Sequence, residues 1–256
     1  MEKRLIQHLK DLVAINSVNP NLSPHGQGEM EIAKLIHSHF VQLNIKTKIH
    51  TVVDDRCNTT AFIAGENSEK ILLLNGHLDT VGIEGMQNPF SLKIKGDRLY
   101  GRGSYDMLAG CAIQMALATF FSQNHCPISL TFTFVADEEN RSLGMEHLVK
   151  NFLPSLPNKP FLGIFMEPTE EAIGISHKGY TWFELMIEGL SAHGSRPEQG
   201  VNAIFPIENA LAELSKINKE LAKEEPDPYL GHATLHPGMI SGGTAHSVIA
   251  AKSTLN

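Results

Sequence analysis

The stretch Ile71-Leu72-Leu73-Leu74-Asn75-Gly76-His77-Leu78-Asp79-Thr80 decides the fold. Its first four residues are apolar and the run ends near Gly76, which predicts a strand buried on both faces. In open α/β folds, such a strand carries the residues that follow it to the sheet edge where ligands bind. His77 and Asp79 follow, two residues apart and so on the same side of an extended chain. An imidazole can bind a metal and a carboxylate can orient it, but this pair alone does not define a metal site.

Two further predicted strands also end in acidic residues. Ser129–Asp137 runs into Glu138 and Glu139, and Phe161–Met166 runs into Glu167. Carboxylates this close together repel one another, and burying them unpaired is costly. Either these acids lie on solvated loops, or a cation draws them together. Because the same pattern recurs at several strands, we favour the cation.

A glycine-rich loop supplies one more acid. Gly101-Arg102-Gly103-Ser104-Tyr105-Asp106 precedes the apolar helix predicted over Met107–Phe121, so Asp106 is either an N-cap or a ligand. Strands that alternate with helices predict an α/β fold with a largely parallel sheet, whose strand ends share one rim. Oxygen and nitrogen ligands without thiolates suit Zn²⁺, Co²⁺ or Mn²⁺, and carboxylates can bridge two ions.

Composition excludes several other functions. The chain has 256 residues, is 42% hydrophobic and carries a net charge of −7 with 21 Lys and Arg, which argues against nucleic acid or an anionic membrane as partner. Its three cysteines form no C-x-x-C pair, so neither a disulfide framework nor a thiolate zinc site is expected, and a cytoplasmic location fits. No apolar run reaches membrane-spanning length and no signal peptide opens the chain.

The pattern changes near Ser176, and we predict two domains, residues 1–176 and 177–256. The first contains a further helix over Arg141–Phe152. The second is predicted as strand, helix, strand and strand, at Gly179–Gly189, from about Val201 to Lys223, at Ala233–Ile240 and at Ser247–Leu255. Its first strand is followed by a loop that contains His193. A serine hydrolase is not indicated, because neither Ser104 nor Ser195 lies in a G-x-S-x-G elbow.

Taken together, these motifs resemble the M20 metallopeptidases, the family of acetylornithine deacetylase, succinyl-diaminopimelate desuccinylase, aminoacylases and carboxypeptidases. The glutamate that opens Glu-Pro-Thr is similar to that of the deacylases in this family. Five motifs in order carry the resemblance: Gly76-His77-Leu78-Asp79-Thr80-Val81, Gly101-Arg102-Gly103-Ser104-Tyr105-Asp106-Met107, Asp137-Glu138-Glu139, Glu167-Pro168-Thr169 and Ala192-His193-Gly194-Ser195-Arg196-Pro197.

The resemblance implies a zinc-hydrolase-type (phosphorylase/hydrolase-like) catalytic domain of three layers, α/β/α. Residues 1–176 would form its N-terminal portion, and residues 177–256 would form part of an inserted α+β lid or dimerisation domain. Both domains are expected to be incomplete at the C-terminus. In the family, a later segment returns to the first domain and brings the last histidine of the second metal site. The chain is therefore expected to be a fragment or a truncated product with weaker occupancy of that site.

The resemblance also implies which residues hold metal. His77 and Glu167 would bind one Zn²⁺, Glu139 would bind the other, and Asp106 would bridge the two. Co²⁺ or Mn²⁺ could take the place of zinc.

Three other residues would have supporting roles. Asp79 would orient His77 as a carboxylate behind the ligands. Glu138 would stay off the metals as the general base, and His193 would donate to the oxyanion, in some members across a dimer interface. Two substitutions depart from the family pattern. Leu108 stands where a lysine is usual, and Ala245-His246-Ser247-Val248-Ile249-Ala250 stands where an asparagine and Val-Ile-Pro are common.

The implied reaction is hydrolysis of the amide bond of an N-acyl amino acid by a metal-activated water. Two alternatives stay open: a dipeptidase or carboxypeptidase with the same metal centre, and an inactive remnant that binds metal or dimerises. The expected partners are a small N-acyl amino acid or dipeptide and a second copy of the chain, bound through the second domain.

Overall fold

A computed structural model of the protein describes residues 2–256, which form two compact units. The first unit ends at Glu171 and the second covers Ala172–Asn256. The elements of the first unit are α1 (Glu2–Val13), α2 (Met30–Gln42), β1 (Lys46–Val53), β2 (Arg56–Ile63), β3 (Asn67–His77), β4 (Lys93–Lys95), β5 (Arg98–Tyr100), α3 (Leu108–Phe121), β6 (Ile128–Val135), α4 (Leu143–His147) and β7 (Leu162–Phe165).

The central sheet of the first unit has the strand order β1-β2-β6-β3-β7. β3 runs parallel to both β6 and β7, as the sequence predicts, whereas β2 is antiparallel to β1 and to β6. The prediction of a largely parallel sheet is therefore wrong for its β1–β2 edge. There, only Asp54 and Asp55 separate the two strands, and so short a connection joins antiparallel neighbours only. The sheet is mixed.

Helices cover both faces of this sheet. On one face, the Thr59 hydroxyl donates to the Ala33 carbonyl oxygen of α2, and α1, α2 and α3 pack around Phe40, Phe132 and the rest of the core. The neighbouring side chain of β2, Asn58, donates to the Gly144 carbonyl oxygen of α4 at 2.7 Å. Because successive strand residues point to opposite faces, α4 lies on the other side of the sheet. The first unit is thus a three-layer α/β/α structure.

The helix predicted over Arg141–Phe152 begins two residues later than expected, at Leu143, and changes type along its length. The N–H groups of Arg141 and Ser142 donate to the Asp137 carbonyl oxygen, so this segment closes a turn before the helix starts. After α4, the chain forms a π-helical turn over Leu148–Phe152 and a 3-10 turn over Leu153–Ser155.

Gly144 holds the start of α4 against the end of β6. A Cβ there would lie 2.3 Å from the main-chain nitrogen and 2.4 Å from the carbonyl oxygen of Ala136. Gly144→Ala is expected to destabilise the protein by about 2–3 kcal/mol, because backbone atoms must move apart. Urea unfolding measures this as a lower midpoint. Gly179→Ala is the control, since nothing lies within 4 Å of its Cβ position; equal midpoints would contradict the packing described.

The second unit has an antiparallel sheet of strand order β8-β10-β9. Its elements are β8 (Leu185–Glu188), α5 (Ile207–Leu221), β9 (Ile240–Gly242) and β10 (Lys252–Leu255). Their order is the predicted one, and β8, α5 and β10 are shorter than predicted. The strand predicted over Ala233–Ile240 is wrong except at its last residue, because β9 begins at Ile240. β8 pairs with all four residues of β10 and β9 pairs with three of them, and α5 starts after Pro206. No helix in residues 2–256 combines the length and apolar character needed to cross a membrane.

Candidate metal centre

Three parallel strands bring the predicted site residues to one rim of the first sheet. His77 at the end of β3 lies opposite Val135 at the end of β6, so Asp137, Glu138 and Glu139 leave the sheet beside it. On the other side of β3, the Met166 N–H donates to the Asn75 carbonyl oxygen, and Glu167 follows directly. The carboxyl ends of neighbouring parallel strands form the usual ligand-binding edge of an α/β sheet.

Asp106 reaches this rim on the loop before α3. That loop turns at Gly103, whose φ is 74°, and the Leu108 N–H donates to the Gly103 carbonyl oxygen at 2.9 Å. The Asp106–Met107 peptide bond is cis. The main chain of His77 donates its N–H to the Met107 sulfur at 3.1 Å, and its carbonyl oxygen accepts from the Cys111 thiol at 3.2 Å. These contacts join the start of α3 to the end of β3.

Four carboxyl groups converge on the buried imidazole of His77, three of them at Nε2 and that of Asp79 at Nδ1. Its Nε2 lies 3.1 Å from Asp106 Oδ1 and 3.7 Å from both Glu138 Oε2 and Glu167 Oε1. His77, Asp106 and Glu139 also offer ligand atoms that all lie within 4.8 Å of one another. The four residues predicted to bind metal therefore lie together, with Glu138 beside them.

The tautomer of neutral His77 follows from its other nitrogen. Nδ1 lies 2.9 Å from the carbonyl oxygen of Asp79, which can only accept a hydrogen bond, so Nδ1 carries the proton. Nε2 then keeps its lone pair toward the carboxylates. The orienting contact comes from the main chain of Asp79, whose carboxylate Oδ1 is 3.7 Å from Nδ1. That carboxylate accepts the N–H groups of Glu138 and Glu139 at 3.0 and 3.1 Å.

The pKa shifts reflect this crowding. Burial, opposed by His77 and reinforced by the neighbouring carboxylates, raises the pKa values of Glu139 and Glu167 to about 7. Burial alone would lower the pKa of His77, but its hydrogen bond to Asp106 and the charges of nearby carboxylates raise it to about 9. The same hydrogen bond lowers the pKa of Asp106. The cluster carries an excess of negative charge, which a cation would neutralise.

The donor set fits a divalent cation. It consists of one imidazole nitrogen and several carboxylate oxygens, which are the ligands that Zn²⁺ takes in hydrolases and that Co²⁺ and Mn²⁺ share. Asp106 approaches His77 closely and belongs to the same group as Glu139, so its two oxygens could serve two ions.

His193 lies in the second unit, where it forms an isolated bridge with Val248. The Ser195 N–H donates to His193 Nδ1 at 3.2 Å, so in the neutral ring the proton is on Nε2. The side chain is exposed. It therefore presents an N–H donor to solvent.

Sequence reasoning missed three buried residues behind the rim. Arg56 forms an ion pair with Glu29 and also contacts Asp137, while the Asn19 amide donates to the carboxylates of both Asp79 and Asp137. No local pattern identifies this set, because Arg56 and Glu29 are 27 residues apart and Asn19 lies in a loop rich in turn residues.

An α/β sheet whose rim presents a buried histidine among carboxylates is the arrangement of a metallohydrolase. Residues 73–250 match the model of peptidase family M20/M25/M40, and the chain belongs to this family. The sequence motifs predicted this family, and its members use divalent metals.

Several relatives are named enzymes. An uncharacterized metallohydrolase of Methanocaldococcus jannaschii is 33% identical over 80% of this chain and 54% of its own length. A probable carboxypeptidase of Aspergillus terreus is 29% identical over 96% of this chain and 58% of its own. An acetylornithine deacetylase of Buchnera aphidicola is 27% identical over 98% of this chain and 66% of its own. The chain thus spans about half to two thirds of the length of these relatives.

Solved structures share the fold. Human carnosine dipeptidase 1 matches 99% of this chain with 69% of its own, at a TM-score of 0.71 and 15% sequence identity. At this identity, the likeness concerns the fold and not the substrate.

Proposed function

We propose that the protein hydrolyses the amide bond of N-acyl amino acids. The observation that carries this proposal is the convergence of four carboxyl groups on buried His77 at the carboxyl rim of the sheet. His77, Asp106, Glu139 and Glu167 would hold the metal, zinc or a similar divalent ion. When bound there, the metal lowers the pKa of a water molecule and polarises the substrate carbonyl group.

Glu138 is the proposed general base. Its N–H is held by Asp79, and 40% of its side chain is exposed, so substrate and water can reach the carboxylate. It takes a proton from the attacking water as the oxygen bonds to the carbonyl carbon. When the C–N bond breaks, Glu138 returns that proton to the leaving nitrogen, so the group acts first as base and then as acid.

His193 is the proposed donor to the oxyanion. The Ser195 N–H occupies its Nδ1, which leaves Nε2–H as the donor. A fixed donor to an oxyanion contributes about 3 kcal/mol to lowering the barrier in comparable hydrolases.

The substrate class is chosen from two candidates. Glu167-Pro168-Thr169 and the likeness to acetylornithine deacetylase favour an N-acyl amino acid. The likeness to a probable carboxypeptidase favours a dipeptide or another peptide C-terminus as the second candidate. Both reactions cleave an amide bond beside an amino acid and need the same metal centre.

Comparing kcat/KM for N-acetyl amino acids with kcat/KM for dipeptides tests this choice. Each assay is run on zinc-loaded and on chelator-treated protein. We expect faster, zinc-dependent cleavage of the N-acetyl substrates. Faster cleavage of dipeptides would establish the second candidate. If the protein binds zinc but hydrolyses neither class of substrate, it is a metal-binding protein and not an enzyme for these substrates.

Two further proposals concern the compartment of the protein and its oligomeric state. Cys57, Cys111 and Cys126 are buried free thiols, which supports a reducing compartment such as the cytoplasm. A homodimer through the second unit stays a prediction.

A further inference from the structure

A buried ion pair lies directly behind the rim that carries the glutamates. The guanidinium of Arg56 donates from Nε to Glu29 Oε2 at 2.6 Å and from a terminal nitrogen to Glu29 Oε1. The side chain of Arg56 is 8% exposed and that of Glu29 is fully buried. The same terminal nitrogen lies 3.1 Å from Asp137 Oδ1. Arg56 therefore binds two carboxylates at once, one of them in the Asp137-Glu138-Glu139 motif.

Asp137 is held on several sides. Its N–H donates to Glu29 Oε1 at 3.2 Å, and its Oδ1 accepts from the Asn19 amide at 3.0 Å. Its φ is 64°, a left-handed conformation that a residue with a side chain keeps only when its surroundings enforce it. The N–H groups of Arg141 and Ser142 donate to the Asp137 carbonyl oxygen and close a turn, so the conformation of Asp137 sets the direction in which Glu138 and Glu139 leave β6.

Arg56 is the positive charge among the buried carboxylates behind the rim. Glu29, Asp79 and Asp137 are all buried, and although burial of the guanidinium alone would lower the pKa of Arg56, their negative charges raise it. Removing one partner of a buried ion pair leaves the remaining charge uncompensated. Without the forked contact, Glu29 and Asp137 would separate, and the left-handed turn would lose two of its contacts.

We propose that Arg56 is a positioning residue for the metal centre: paired with Glu29, it fixes the turn at Asp137 and thereby the placement of Glu139 and Glu138. The inference rests on the proposed role of Glu139 as a ligand. Arg56 itself touches neither His77 nor a predicted ligand through any hydrogen bond or ion pair found in residues 2–256.

Arg56→Lys tests this inference, because lysine keeps the positive charge but cannot form the two parallel hydrogen bonds. Zinc affinity is measured by calorimetry on folded protein, and the visible spectrum of bound Co²⁺ reports the ligand geometry. We expect zinc affinity to fall by about 10–100-fold, as it does when residues that support metal ligands are replaced, and the Co²⁺ spectrum to change.

Leu12→Ala is the matched control. Leu12 is a fully buried core residue of α1, so its replacement destabilises the fold without touching the ion pair. Urea midpoints establish that both variants lose stability while remaining folded under the titration conditions. A purely structural role for Arg56 would give both variants the zinc affinity of the wild type, whereas a positioning role lowers affinity in Arg56→Lys alone.

Two results would overturn the inference: unchanged zinc affinity in Arg56→Lys, or an equal loss in Leu12→Ala. If Arg56→Lys does not fold, Glu29→Gln takes its place in the same comparison, because glutamine keeps the size of the side chain and loses its charge. Zinc affinity is read without substrate, so failure to hydrolyse N-acyl amino acids would count against the proposed function and not against the role of Arg56.

Discussion

Glu138→Ala is expected to lower kcat by about 10²–10⁴-fold while the protein keeps its zinc. The carboxylate lies 3.7 Å from His77 Nε2 and remains 40% exposed, at the place where a water beside the metal would lose its proton. Without it, no base takes that proton and no acid returns it to the leaving nitrogen. The proposed ligands His77, Asp106 and Glu167 are unaffected, so zinc should stay bound.

Zinc content after dialysis and kcat for an N-acetyl amino acid measure the two parts of this prediction. Glu31→Ala, an exposed change on α2, is the control and should alter neither. A variant that loses its zinc would show that Glu138 is a ligand. A variant that keeps both zinc and turnover would remove Glu138 from the mechanism.

His77→Ala is expected to reduce zinc affinity by more than about 100-fold. This loss is larger than the loss expected when a residue that only supports a metal ligand is replaced. His77 is the imidazole on which Asp106, Glu138 and Glu167 converge, and its Nε2 faces all three carboxyl groups. Without His77, the remaining carboxylates repel one another at short range. Turnover should be lost together with the metal.

The control for this prediction is His125→Ala, because His125 is an exposed histidine that pairs with Glu66 at the surface. The zinc affinity of His125→Ala, measured by calorimetry, should equal that of the wild type. If His77→Ala bound zinc as tightly as His125→Ala, the metal would lie elsewhere and the rim cluster would need another explanation.

The rim of the site could be predicted because its residues follow apolar strands. A buried strand shows in the sequence as an apolar run, as at Ile71–Leu74, and parallel neighbours bring their ends together. The positions of His77 and Glu167 therefore follow from local patterns and one topological rule. The family motifs added roles that the patterns alone did not provide.

The support behind the rim could not be predicted in the same way. Arg56 reaches Glu29 and Asp137 across the fold, and neither hydrophobic periodicity nor charge patterning states which distant carboxylate an arginine will pair with. The β1–β2 edge was mispredicted for a related reason. The direction in which β1 pairs with β2 depends on the two-residue turn between them, and not on the apolar pattern of either strand.

Strand lengths in the second unit also depend on partners. Apolar alternation favoured a strand over Gly179–Gly189, yet only Leu185–Glu188 pairs, because β10 offers four residues to pair with. A sequence pattern marks residues that are able to form a strand, whereas the neighbouring strand decides how many of them do.

Calorimetric titration of the wild-type protein with zinc, followed by an assay on N-acetyl amino acids, tests the central claim most directly. We predict saturable binding at a tight site that needs His77, and hydrolysis that a chelator abolishes and zinc restores. Folded protein that shows no saturable zinc binding, or hydrolysis that a chelator leaves unchanged, would contradict the assignment of this rim as a metal centre.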